Sequence, residues 1–253
     1  MVTAVRRLLY LIIFIAFGAC MYAQTLTIAT AANFREPMEE ISRLFMKENP
    51  AIAVRCVYGS SGNLYQQIAN HAPFDIFFSA DTGYVYSLYK AGITDGPPQI
   101  YAVGQLVLWS LSKDVSEGVS SVTSTQIKKI AIANPQLAPY GKSAMQCLQY
   151  FDLYDRVKNK LVLAENIAQT AQFASTGNSD AGFLAMSQLR SKAIQHKGSY
   201  FVVPTESYSP IKQGAVILKN KENEAVSLKF MDFMSSEKVK AIILAYGYKS
   251  GNL

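Results

Sequence analysis

From Leu26 onward the chain alternates short runs of β-branched, aromatic and aliphatic residues with segments whose apolar positions recur every three or four residues. Short apolar runs of this kind read as strands and the longer spacing as helices, and their alternation predicts an α/β fold built on mainly parallel sheets. Leu26 to Ala31 is the first predicted strand; Met38, Ile41, Leu44 and Phe45 then mark one face of a helix that Asn49-Pro50 stops. Ile52 to Tyr58 is the second strand, Leu64 to Asn70 a short helix, and Phe74 to Ser79 the third strand. Asp81 stands where it would cap the next helix, which carries Val85, Leu88 and Tyr89.

A breaker cluster from Gly92 to Pro98 ends this βαβαβα series, and one longer apolar run, Ile100 to Ser110, follows it. A second series then pairs Ile130 to Ala133 with a helix over Ser143 to Phe151, and Leu161 to Ala164 with Ile167 to Ser175. It ends with the strand Ala181 to Ala185 and a helix to about Lys192. Phe201 to Val203 and Gly214 to Leu218 are further strands, and the helices Glu222 to Met234 and Ser236 to Tyr246 end at Gly247. Two βα series joined by two long connectors predict two lobes facing a ligand cleft, with the last helices returning to the first lobe. The expected boundaries are 24–103 and 208–253 for lobe 1 and 104–207 for lobe 2, with hinges near Ala102 to Gln105 and Pro204 to Gln213.

Residues 1–23 stand outside this pattern. Arg6 and Arg7 precede the apolar run Leu8 to Phe17, and small residues follow at Gly18, Ala19 and Ala23. A charged head, a short apolar run and a small-residue exit are the parts of a secretory signal. The uncharged stretch from Leu8 to Ala23 is short of the roughly 20 residues that span a bilayer. Cleavage after Ala23 is one reading. The other takes Phe17-Gly18-Ala19-Cys20 as a poor lipobox, which would make Cys20 a lipid-bearing N-terminus. Either way the mature protein is exported.

The signal changes the charge balance. The 24 basic and 18 acidic residues give a formal +6, and losing two arginines with the signal lowers it to +4, so much of the apparent basicity goes with the signal. Lys and Arg are scattered among acids, which argues against a nucleic-acid surface. His71 and His196 are isolated, and no CxxC, HExxH, Walker or GxGxxG pattern occurs, so the usual constellations for zinc, nucleotides or catalytic triads are missing. A secreted hydrolase would have to use paired carboxylates or one of the two histidines. Cys56 and Cys147 fall in different predicted lobes and read as two free thiols. Binding, rather than catalysis, is the expected activity.

Four strand-to-helix junctions carry small or hydroxyl-rich residues: Ala31-Ala32-Asn33-Phe34, Gly59-Ser60-Ser61-Gly62-Asn63, Ala138-Pro139-Tyr140-Gly141-Lys142-Ser143 and Glu165-Asn166-Ile167. Each sets free first-turn N–H groups, the positive end of a helix, at the C-terminal edge of a sheet. Singly each junction is also ordinary capping: Asn33 with Glu36 matches a capping box, and Ser61 or Asn63 would cap any helix. Two from each lobe would form an anion pocket with many donors and little formal charge.

These segments, together with Phe74 to Asp81 and Ile130 to Pro135, resemble in sequence and order the periplasmic molybdate-binding proteins of ABC transporters, over about Leu26 to Tyr248. The resemblance implies a two-lobed type II periplasmic-binding-protein fold that holds molybdate, or also tungstate, as a tetrahedral oxyanion and delivers it to a membrane permease. It implies a periplasmic monomer with no cofactor and no nucleic-acid partner. The ligand set it implies is Asn33, Ser61, Tyr140 and Ile167, with Ala32 and Gly62 as additional candidates and no direct ligation of the metal. Some members add a tyrosine hydroxyl where this chain has Ala185, which leaves Tyr140 as the candidate substitute. A sulfate or phosphate binder of the same fold shares this donor logic, and an amino-acid binder would need a cation such as Arg35.

Overall fold

The computed structural model describes residues 24–219 and 222–251; the expected export signal, with Cys20, lies outside the described residues. In chain order the elements are β1 (Gln24–Ala31), α1 (Arg35–Glu48), β2 (Ile52–Gly59), α2 (Ser61–Ala69), β3 (Ile76–Ser79), α3 (Thr82–Lys90), β4 (Gln99–Gly104) and β5 (Leu106–Ser110). Then come β6 (Ile130–Ala133), α4 (Pro139–Tyr150), the single turn α5 (Tyr154–Val157), β7 (Leu161–Ala164), α6 (Ile167–Ser175), β8 (Ala181–Ala185) and β9 (Ser199–Val202). The chain closes with β10 (Ile211–Ile217), α7 (Glu224–Met234), α8 (Glu237–Ala245) and β11 (Lys249–Ser250).

The strands form two sheets, in the orders β11-β4-β10-β3-β1-β2 and β7-β6-β8-β5-β9, one to each lobe. Both are mixed rather than mainly parallel. The βα units supply the parallel pairs β1 with β2 and β3, and β6 with β7 and β8. The connector strands enter the other way: β10 runs antiparallel to β3 and β4, and β5 runs antiparallel to β8 and β9. A chain that passes from one lobe to the other and back without a crossover helix must add strands in this sense.

The run Ile100 to Ser110, expected as one strand, is two strands of different sheets that part at Gln105. Gln105 Nε2 donates to the Gly247 carbonyl at 2.6 Å, and the Leu106 N–H donates to the Tyr208 hydroxyl at 3.1 Å. The two segments that connect the sheets are therefore fastened to each other and to the C-terminal part of the chain. The helix expected up to about Lys192 is a 3-10 turn over Met186–Arg190.

Helices cover both faces of each sheet, so consecutive strand residues are buried alternately on opposite sides. Leu26, Ile28 and Phe78 face a core closed by Phe45 and Phe230, whereas Ala29 and Phe77 face one closed by Leu64 and Val85. In the other lobe Leu106, Leu108 and Phe183 face one core, and Val107, Trp109 and Leu184 the other. Cys56 on β2 and Cys147 on α4 are both free thiols, one in each lobe.

Candidate functional site

Because β1 and β2 run parallel, the helices that follow them begin at the same sheet edge; β6 and β7 impose the same on α4 and α6. The two edges face one another across a small cavity lined by Ala31, Ala32, Asn33, Gly59, Ser60, Ser61, Ala80, Ala138, Pro139, Tyr140 and Ile167. No lining residue carries an ionisable acid or a cation. Five of the six expected contacts, Ala32, Asn33, Ser61, Tyr140 and Ile167, meet here; Gly62 does not line the cavity.

An inventory of first-turn amides shows what the junctions offer. In α2 the Asn63 N–H donates to Ser60 Oγ at 3.3 Å, Leu64 N–H to the Ser60 carbonyl and Gly62 N–H to the Leu137 carbonyl, which leaves the amide of Ser61. In α4 the first residue is Pro139, and Gly141 and Lys142 donate to the Ala138 carbonyl, which leaves Tyr140. In α6 the Asn166 cap takes Ala168 and Gln169 on its side chain and Thr170 on its carbonyl, which leaves Ile167. At each of these three junctions one first-turn N–H has no acceptor among the described residues, and it belongs to a cavity-lining residue.

Ser60, not Ser61 or Asn63, caps α2. The Ser61 hydroxyl is thereby released from capping: its oxygen accepts the Ala80 N–H at 2.9 Å, and its own hydrogen is uncommitted. Ser61 is 1% exposed. The accepted bond fixes the oxygen so that the O–H is the group left to face a ligand.

Asn33 does not cap its helix, contrary to the capping-box expectation, and no side chain caps the 3-10 turn Ala32–Phe34 or α1. Its amide nitrogen donates instead to Gln213 Oε1 and to the Tyr248 hydroxyl, both at 2.8 Å. Gln213 Nε2 donates to the Ile211 carbonyl at 3.0 Å, which orients the Gln213 amide and hence that of Asn33. Both Asn33 side-chain hydrogens are spoken for, so a donor from this residue to an anion has to be its backbone N–H. The Asn33 carbonyl accepts from Tyr248 Oη at 2.8 Å and from Ser187 Oγ at 2.7 Å. Behind it, Phe34 packs between Tyr101 and Tyr248, with ring centroids 4.9 and 5.4 Å away.

Gln213, Tyr248, Ser187 and Gln188 are polar groups at the site that sequence reasoning missed. Gln213 had a signal: it sits fully buried between Ile211 and Ala215 on one face of β10. Gln188 explains how Ala185 is accommodated, since its side chain accepts from the Ala185 N–H at 3.0 Å and donates to the Ile167 carbonyl at 2.9 Å. Ala185 itself does not line the cavity. Tyr140 does, and its hydroxyl, buried without a partner, comes up against Gly104 beside Gln213. Burial pushes the Tyr140, Tyr101 and Tyr248 hydroxyls well above the ordinary phenol range, so all three are neutral donors.

The lobes touch around this cavity. Ser187 reaches the Asn33 carbonyl, Gly62 N–H reaches the Leu137 carbonyl at 2.9 Å, and Asn63 Nδ2 reaches Glu165 Oε1 at 3.2 Å at the exposed rim. Ala31, Ala32 and Ala80 of the first lobe join the apolar cluster of the second with Ala138, Tyr140 and Ile167. Arg35 lies over the Tyr58 ring, 4.0 Å from its centroid, and pairs with Glu39, so it offers the cavity no cation. His71 and His196 line no part of it, and both adopt left-handed backbone in turns.

Comparison with known proteins places this geometry. Residues 26–249 match the model of the family described as bacterial extracellular solute-binding protein. The chain is 39% identical over 221 residues to the molybdate-binding protein ModA of Rhodobacter capsulatus, covering 87% of this chain and 86% of the relative. It is 40% identical over 229 residues to ModA of Azotobacter vinelandii, covering 89% and 90%. Among solved structures, the Azotobacter vinelandii periplasmic molybdate-binding protein superposes with a TM-score of 0.85 at 36% identity, over 90% of this chain and all of the other. A match over nearly all of the described chain, on a fold whose lobes close around a small polar cavity, leads to one assignment: the chain belongs to the bacterial extracellular solute-binding protein family.

Proposed function

We propose that this protein is the molybdate-capturing component of an ABC transporter, that it also takes tungstate, and that it works in the periplasm as a monomer handing the anion to a membrane permease. It acts by binding and release rather than by catalysis, with lobe 1 formed by 24–103 and 208–253 and lobe 2 by 104–207. The proposed ligand set is the backbone N–H of Asn33, the N–H and hydroxyl of Ser61, and the N–H groups of Tyr140 and Ile167. Ala32 lies in the same wall, and the uncommitted Tyr140 hydroxyl is available as a further donor.

One observation carries this reading: an uncharged cavity whose free polar groups are donors from both lobes. A molybdate dianion offers four acceptor oxygens and no donor, and hydrogen bonds to a charged partner contribute roughly 1.5–3 kcal/mol each, so several oriented amides suffice without Lys or Arg. Protonated phosphate brings a donor that would find no acceptor in this wall. Sulfate shares the charge and shape, and only the size of the cage separates it.

A thermal-shift titration of the mature protein tests the reading. At a hundredfold excess over Kd, molybdate and tungstate are each expected to stabilise the fold by about 2.7 kcal/mol, roughly 5–10 °C for a chain of this size. A response to sulfate or phosphate with none to molybdate would overturn it.

A further inference from the structure

Gly62 stands in the second ligand junction, yet it lines no part of the cavity, and its amide is already engaged. The N–H donates across the cleft to the Leu137 carbonyl at 2.9 Å, from the first turn of α2 in one lobe to the turn that precedes α4 in the other. Its backbone lies in ordinary helical space, so no left-handed conformation calls for glycine here. Alanine would be the better helix former at this position. What excludes a side chain is the opposite lobe: a Cβ on Gly62 would lie 2.9 Å from the Leu137 carbonyl oxygen and 3.1 Å from its Cα. That carbonyl has little freedom to retreat, because the Leu137 and Ala138 amides both donate to the Asn134 carbonyl, at 3.1 and 2.8 Å. The third neighbour, the Tyr84 hydroxyl at 3.0 Å, is the free end of a side chain in the same lobe and can move.

We propose that Gly62 is a closure residue: its bare N–H clasps Leu137 when the lobes meet, while Ser61, one residue earlier in the same turn, is left to the anion. This rests on the ligand reading given above and adds to it a division of labour within one helix turn. Adjacent amides of α2 point one to the cargo and one to the other lobe, so the turn that registers the anion is the turn that fastens the cleft. The clasp contributes only in the closed form. A methyl group at position 62 therefore penalises closure and leaves the open form untouched or slightly better folded.

The test is Gly62→Ala in the mature protein beside the wild type. Expected results are an unchanged or raised melting temperature without ligand, molybdate affinity weakened at least tenfold in calorimetry, and a radius of gyration in X-ray scattering that fails to contract at saturating molybdate. A merely structural role would instead lower the melting temperature of the unliganded protein, and that result would overturn the proposal, as would wild-type affinity and contraction. Failure of the wild type to bind molybdate would overturn the proposed function and leave the clasp to a ligand-free reading. For that, a fluorophore pair on exposed Tyr86→Cys and Asn159→Cys reports lobe separation without any anion; equal closed fractions with and without Gly62→Ala would overturn the clasp, and a smaller fraction in the variant would support it.

Discussion

Asn33 gives one side-chain hydrogen to Gln213 Oε1, 2.8 Å away and 180 residues further along the chain. The bond ties the first ligand junction to β10, the strand that re-enters the first lobe from the hinge. An acid in place of Asn33 would set an acceptor against an acceptor and a charge beside the anion. Asn33→Asp is expected to weaken molybdate binding by a hundredfold or more and to destabilise the fold by about 3–5 kcal/mol, the range for an unpaired buried charge. Calorimetry and thermal melts read both; affinity within tenfold of wild type would refute the placement.

Ser61 combines a free hydroxyl hydrogen with an oxygen fixed by the Ala80 N–H. Removing it in Ser61→Ala should cost one charge-assisted hydrogen bond, roughly 1.5–3 kcal/mol or about ten- to a hundredfold in Kd. The lost acceptor for the Ala80 N–H should lower stability by about 1–3 kcal/mol as well. Unchanged affinity would remove the hydroxyl from the ligand set.

Gly104 lies where the Tyr140 hydroxyl needs room, and a methyl group there would overlap that oxygen and crowd Gln213. Gly104→Ala is expected to displace Tyr140 and to destabilise by about 1–3 kcal/mol, as overpacking of a core does. Tyr140→Phe should suppress most of that penalty. A double-mutant cycle in thermal denaturation measures the coupling; strict additivity would show that the two groups do not meet.

The pH profile follows from what titrates. No lining residue is ionisable near neutrality, so molybdate affinity is expected to stay flat from about pH 6 to 9. Alkali acts through the tyrosines. Burial, aided by the bond to Glu40, holds the Tyr246 hydroxyl up at about 12, and burial raises Tyr101, Tyr140 and Tyr248 as well. A raised phenol pKa stabilises the fold fully below the unfolded value of about 10 and loses that contribution as the pH climbs past it. Melting temperature should therefore fall above about pH 10 while phenolate absorbance lags behind that of free tyrosine. A steep change in affinity between pH 6 and 8 would point to a titrating group in the wall.

Much of this was legible locally. Ser61, Tyr140 and Ile167 each stand at the start of a helix that follows a parallel strand, and the strand pattern alone puts such positions at a sheet edge. Capping was harder to place, because Ser60 and Ser61 are chemically equivalent in sequence and only the geometry of the turn decides which one binds its own helix. The groups around Asn33 were out of reach for another reason. Tyr248 bonds to it across 215 residues, and no periodicity encodes a partner at that distance. The division of Ile100 to Ser110 between two sheets falls at Gly104-Gln105, inside the segment expected as a hinge; the uninterrupted apolar character on both sides hid only that the run is two strands.

The first lobe's apolar contribution to the shared wall is three alanines, Ala31, Ala32 and Ala80, which meet Ala138, Tyr140 and Ile167 of the second. Each methyl group withdrawn into contact is worth only about 0.8 kcal/mol, far less than a leucine or phenylalanine in the same place. Separation of the lobes thus exposes little apolar surface on the first lobe's side of the cleft. A cleft faced with small side chains can trap its cargo through polar contacts and still come apart quickly, which is what a shuttle that must unload on every cycle requires.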